Sequence, residues 1–260
     1  ESWSAAWLET SGVPELWIEE SGGELTVCQD GTDPATGGRV LRPHVLQVGR
    51  YEPDAGGTLV RVAGAAVEVA AGADGDRTAV GPLTGEPAST GTRLLLVNDE
   101  DLTYAKIRLD EQSLQAVLEH PVQDGLARAT VWAALWSMTR DGLLPARRFV
   151  EAVGRLSRSI PDVGVYSQVV EQAVTAVERF TPAQEREQVR GELAEALVGA
   201  LREIGPGSDR QRSALRALGR LARGAGHPTA ERFAEVLTPV ARRAQDAVSY
   251  THLRAHETKA

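Results

Sequence analysis

The spacing of apolar residues changes at Asp110, and no single kind of element satisfies the spacings before and after it. Between Pro14 and Leu109 the apolar residues alternate or fall in short aliphatic runs: Leu16-Trp17-Ile18, Leu25-Thr26-Val27-Cys28, Val45-Leu46-Gln47-Val48, Leu59-Val60-Arg61-Val62, Ala66-Val67-Glu68-Val69 and Leu94-Leu95-Leu96-Val97. Gly22-Gly23, Asp30-Gly31, Gly37-Gly38 and Asp54-Ala55-Gly56-Gly57 stand between them. Short strands joined by turn chemistry, with no helical stretch among them, predict an antiparallel β-sandwich over 14–110. In its last strand Ala105, Ile107 and Leu109 share one face, and Tyr104, Lys106 and Arg108 share the other.

From Asp110 onward the spacing is three to four. Asp110 caps a helix with the stripe Leu114, Val117 and Leu118, stopped at His120-Pro121. A second helix runs from Asp124 to about Arg140 with the stripe Leu126, Ala129, Trp132, Ala133, Leu135 and Trp136, and stops at Asp141-Gly142. Pro145 opens a third, which buries Phe149, Val150, Val153 and Leu156. Tyr166, Val169, Val170, Ala173, Val174 and Val177 mark a fourth. Thr181-Pro182-Ala183-Gln184 reads as a capping box for a fifth, which carries Val189, Leu193, Leu197, Leu201 and Ile204. Gly205-Pro206-Gly207 breaks the chain, Ser208-Asp209-Arg210-Gln211 is a second box, and a further helix is expected near Thr229 to Leu237, before Thr238-Pro239. Short connections force neighbouring helices antiparallel, so 111–247 is expected to form part of an α-solenoid of helix pairs. The fold class is therefore multidomain α+β: an antiparallel β-sandwich followed by an α-solenoid.

Composition narrows the functions open to such a chain. A formal net charge of -8 argues against nucleic acid as a partner, because phosphate binding needs a basic patch. The arginines of the helical half alternate with Asp and Glu, which makes a mixed, solvated surface. No apolar run reaches the ~18 residues of a membrane span. A single cysteine, Cys28, allows no intramolecular disulfide and suits the cytoplasm.

Several stretches resemble landmarks of the aminopeptidase N family of zinc metallopeptidases, in its actinobacterial form. They are Trp7-Leu8-Glu9-Thr10-Ser11-Gly12-Val13, Arg42-Pro43-His44, Val48-Gly49-Arg50-Tyr51, the run from Asn98 to Asp110, the helix from Trp132 to Asp141, and Gly205-Pro206-Gly207-Ser208-Asp209. The resemblance implies a parent enzyme that uses zinc to remove N-terminal amino acids from peptides. Its metal is held by a His-Glu-x-x-His motif that this sequence does not contain. On this reading residues 1–13, with Trp3 and Trp7 on one helix face, are the last helix of a catalytic domain. Residues 14–110 are the sandwich and 111–247 part of the C-terminal helical domain. The chain alone is expected to be inactive, forming frame and cover of the active-site chamber. A rival reading is a stand-alone sandwich-and-solenoid interaction module. From about Val248 to Ala260 the tail resembles a translated sequencing adapter and is set apart from the fold.

No catalytic residue and no metal ligand is assigned within the chain. Of its histidines, His44, His120, His227, His252 and His256, only His252 and His256 share a ligand-like spacing, and they bracket Leu-Arg-Ala without the glutamate. His256-Glu257 opens like the metallopeptidase motif, but Ala260 stands where its second His belongs. His44 is expected to be satisfied by a backbone group in a strand. Asp99-Glu100-Asp101 lacks the alternation, central Gly and terminal Glu of a calcium loop, and is expected to cap the junction between sandwich and helices. Tyr104, Lys106 and Arg108 either meet water or dock on the catalytic domain. Trp132 and Trp136 read as core.

Overall fold

The computed structural model describes residues 2–70, 76–85 and 91–224, together with residue 238. The chain divides into two compact units, Glu1–Leu144 and Pro145–Ala260.

The first unit opens with α1 (Ser2–Leu8) and continues as β1 (Glu15–Ser21), β2 (Glu24–Asp30), β3 (His44–Pro53), β4 (Leu59–Val69), β5 (Arg77–Ala79), β6 (Thr84–Gly85), β7 (Leu94–Val97) and β8 (Lys106–Ile107). These form two four-stranded sheets, ordered β5-β2-β1-β8 and β6-β4-β3-β7. Gly22 and Gly23 both have positive φ, the requirement of a two-residue hairpin whose twist matches its strands, and they join β1 to β2. Leu16, Ile18 and Val27 of one sheet and Leu46, Val48, Val67, Leu94 and Leu96 of the other are buried. The two expected runs at Leu59–Val62 and Ala66–Val69 are one strand, carried through Ala63-Gly64-Ala65 by pairing with β3.

Among the described strands pairing is antiparallel except at β8, which lies parallel to β1 with Leu16 opposite Ile107. No hairpin connects those strands, so no turn dictates their sense. Ile107 and Leu109 are buried and Tyr104 exposed, as the alternation predicts.

Two helices complete this unit, α2 (Glu111–Glu119) and α3 (Gly125–Arg140). The Asp110 carboxylate accepts from the amides of Gln112 and Ser113, and Asp124 accepts from those of Leu126 and Ala127. Between the helices, the Leu59 amide donates to Pro121 O and the Gln123 amide to Leu59 O, so the His120-Pro121 stop is sewn onto β4. The buried face of α3 departs from expectation. It holds Ala127, Thr130, Val131, Trp132, Ala134, Leu135, Met138 and Thr139, whereas Leu126 and Ala133 face out. The hydroxyls of Thr130 and Thr139 donate to the carbonyls of Leu126 and Leu135 one turn back, so these threonines enter the core as if apolar.

The second unit contains α4 (Ala146–Leu156), a 3₁₀ turn over Ser157–Ser159, α5 (Val163–Thr175), a π turn over Ala176–Phe180, α6 (Arg186–Leu201) and α7 (Asp209–Gly224). Beyond sequential contacts, α4 meets α6 and α5 meets α7, the neighbour pattern of stacked helix pairs. Pro145 stands one residue before α4 instead of opening it. The first predicted box does not form: Thr181 Oγ1 donates back to Ala176 O, closing the π turn, and α6 starts only at Arg186 without a side-chain cap. Of the second, the cap forms, with Ser208 Oγ accepting from the Gln211 amide, but Gln211 Oε1 accepts from the Gly207 amide, one residue before the Ser208 amide that a box requires. The helix expected near Thr229 to Leu237, the adapter-like tail, and His227, His252 and His256 lie outside the described residues.

Candidate functional site

Two buried polar clusters hold the sandwich unit together. The first is centred on Arg42, which is only 3% exposed. Its guanidinium donates to Ala6 O, Gly12 O, Thr10 O, Thr10 Oγ1 and Ser11 O at 2.8–3.2 Å. All five acceptors belong to the end of α1 and the turn after it, where orphan carbonyls carry the negative end of the helix dipole. The guanidinium also lies 5.1 Å from the centre of the Trp7 ring. Trp7 Nε1 donates to Pro43 O at 3.2 Å, and its ring meets His44 edge-on at 5.4 Å.

Gln29 holds the other side of Arg42, donating from Nε2 to its carbonyl and accepting at Oε1 from its amide. With Gln29 so oriented, its Oε1 accepts from His44 Nε2 at 3.3 Å, and Thr103 Oγ1 donates to His44 Nδ1 at 2.7 Å. His44 is thus satisfied by two side chains, not by the backbone group expected. Burial, helped by the nearby Arg42 charge, lowers its pKa to about 4, so the ring is neutral at pH 7. Arg42-Pro43-His44 and the stretch from Trp7 to Val13 lie some thirty residues apart along the chain, and the fold brings the two together.

The second cluster joins β3 and β4 to the turn after β7. The Tyr51 hydroxyl donates to Asp99 Oδ1, and Arg61 Nε lies 2.9 Å from Asp99 Oδ2. Arg61 also reaches Glu100 at 3.6 Å. Burial pushes the Asp99 carboxyl above its usual range, against the Tyr51 and Arg61 contacts that favour its charged form. Burial and the Asp99 hydrogen bond push Tyr51 up as well. Asp99 therefore pins β3 to β4 and does not cap the sandwich-to-helix junction. Asp110 does that, with Arg93 bridging Asp110 and Glu20. Asn98 and Asp101, both at positive φ, shape the turn, and Asn98 is bonded across it to both backbone groups of Thr103.

The polar strand face is used within the unit. Lys106 Nζ lies 2.7 Å from Asp141, and Arg108 stacks 4.1 Å from the Trp17 ring centre and pairs with Glu15. Tyr104 alone of the three is exposed. Trp132 is core as expected, and Trp136 is half-buried. Zinc would need three converging ligands. Among the described residues no group of three or more His, Cys, Asp or Glu side chains converges in this way, so they do not fit a zinc site. No helix among those residues is long and apolar enough to cross a membrane.

Fold and clusters together define a class: a β-sandwich whose buried polar groups grip backbone, continued by stacked helix pairs. The chain belongs to the family described as the ERAP1-like C-terminal domain, which residues 94–245 match. It is 36% identical over 233 residues to the aminopeptidase N of Streptomyces lividans, an alignment covering 85% of this chain and 26% of that protein. The chain spans about a quarter of the length of this relative.

Proposed function

We propose that the chain is the non-catalytic C-terminal portion of a cytoplasmic zinc aminopeptidase that removes N-terminal amino acids from peptides. In this reading the sandwich and helix pairs frame and cover the active-site chamber, and α1 closes the catalytic domain before it. The supporting observation is the lopsided alignment: most of this chain, but only a quarter of an aminopeptidase N, with no His-Glu-x-x-His in the part matched. The buried clusters agree with it, since their polar groups are spent on backbone and on one another. Zinc and the general base belong to the upstream domain, where the metal would activate water; no step is assigned to this chain's residues.

The test has two arms. The coding sequence upstream of Glu1 should contain a His-Glu-x-x-His about one domain earlier; a start codon close by, with no metallopeptidase segment, supports the interaction-module reading instead. Purified chain supplied with zinc should release nothing from an aminoacyl p-nitroanilide. Stoichiometric zinc together with unaided hydrolysis overturns the proposal.

A further inference from the structure

We infer that the Arg42 cluster is a rigid joint: it fixes the direction in which any polypeptide preceding Ser2 leaves the sandwich. The inference rests on the proposed reading of α1 as the end of an upstream domain, but the grip itself is visible within this chain. A flexible linker between domains is polar, exposed and rich in Gly or Ser. The stretch from Leu8 to Val13 is held differently. Four of its backbone or side-chain oxygens, together with Ala6 O, are bound by one buried guanidinium. The Ser11 amide donates to Asp33 Oδ2 at 3.4 Å. Gly12 has φ +89° and lies so close to Thr32 O that a Cβ would collide with it. Trp7 is fastened by its indole N–H to Pro43 O and by its ring to both Arg42 and His44.

The acceptors are spread over one helical end and one turn, and only a planar fork with five donors reaches all of them at once. A lysine, with three donors on a single nitrogen, cannot. Arg42 is in turn held by Gln29 through both of its backbone groups, and Gln29 by His44. The joint is therefore built from β2, β3 and α1 together. Arg42 acts as a positioning residue: it sets the angle between the sandwich and what precedes it, and touches no reacting group.

Hydrogen exchange on the 260-residue chain tests the grip without any upstream domain. The amides of 7–9, bonded within and at the end of α1, and of 11, bonded to Asp33, should be protected in the wild type, and Arg42→Lys should speed their exchange about 100-fold while the β1, β3 and β4 amides are unchanged. Should Arg42→Lys fail to fold, Thr10→Val, which deletes one acceptor from the grip, should speed exchange at 7–9 and 11 about tenfold. Unprotected exchange at 7–9 and 11 in the wild type, or no change in the variant that folds, overturns the inference. In the longer protein, Arg42→Lys should broaden the distance distribution between a spin label on the upstream domain and one on the sandwich; an unchanged distribution also overturns it. An upstream sequence without a peptidase domain instead defeats the functional proposal and leaves the exchange result standing.

Discussion

The Asp99 carboxylate lies directly over Gly49, so close that a Cβ on residue 49 would stand 2.6 Å from Asp99 Cγ and 2.9 Å from Tyr51 Cε2. The backbone conformation of Gly49 is not what demands glycine; the carboxylate is. Gly49→Ala must displace Asp99 from Tyr51 or bend β3, at a cost of about 1–3 kcal/mol typical of overpacking. Urea denaturation of the two proteins measures the difference. Equal midpoints would show that the cluster shifts at no cost.

Tyr51→Phe keeps the ring and removes the hydroxyl that donates to Asp99. A hydrogen bond to a buried charge is worth about 1.5–3 kcal/mol, and the carboxylate keeps Arg61 as its remaining partner. The variant should lose that amount in urea. An accompanying fall in the apparent pKa of Asp99 would contradict the assigned contact, because the hydroxyl favours the charged carboxylate.

His44 supplies a pH dependence with a definite sign. Its pKa is about 4 in the folded chain, against 6.5 for the free side chain. Between those values the unfolded chain binds more protons, so stability is complete above about 6.5 and is lost as the pH falls toward 4. A shift of this size corresponds to about 3 kcal/mol. Asp99 acts in the opposite sense: its raised pKa contributes stability that is present in acid and lost as the pH rises through it. The wild type should therefore lose up to about 3 kcal/mol more than His44→Gln between pH 6.5 and 4, read from urea midpoints. Parallel pH profiles would mean that His44 is not held neutral.

Asp110 and Asp124 cap consecutive helices but differ in what else they hold. Asp124→Ala should cost about 1 kcal/mol, the value of an N-cap. Asp110→Ala removes a cap and also a partner of buried Arg93, and should cost about 2–4 kcal/mol. Thermal unfolding of both variants checks the order, and a larger loss at Asp124 would contradict the role given to Arg93.

Local chemistry was legible in the residues alone. Period two and period three-to-four separate the sheets from the helices at Asp110. Gly22-Gly23 marks its hairpin, and Asp110, Asp124 and Ser208 mark three helix starts. Each of these is settled by neighbours a few positions apart, within reach of backbone sterics and a single hydrogen bond. Thr181 shows the limit, since the same hydroxyl can close the turn behind it or cap the helix ahead, and packing made the choice.

Contacts between distant positions were beyond that reach. The parallel pairing of β8 on β1, the face of α3 that turns inward, the pairing of Tyr51 with Asp99, and the reach of Arg42 back to Ala6 and Gly12 all join residues well separated along the chain or depend on such packing. An apolar helix such as α3 has more than one face that could be buried, and a buried arginine can be satisfied by any oxygens that surround it. Those choices were made only when the sheets and helices came together, because desolvating a charge or an apolar face is favourable only against the particular surface that receives it.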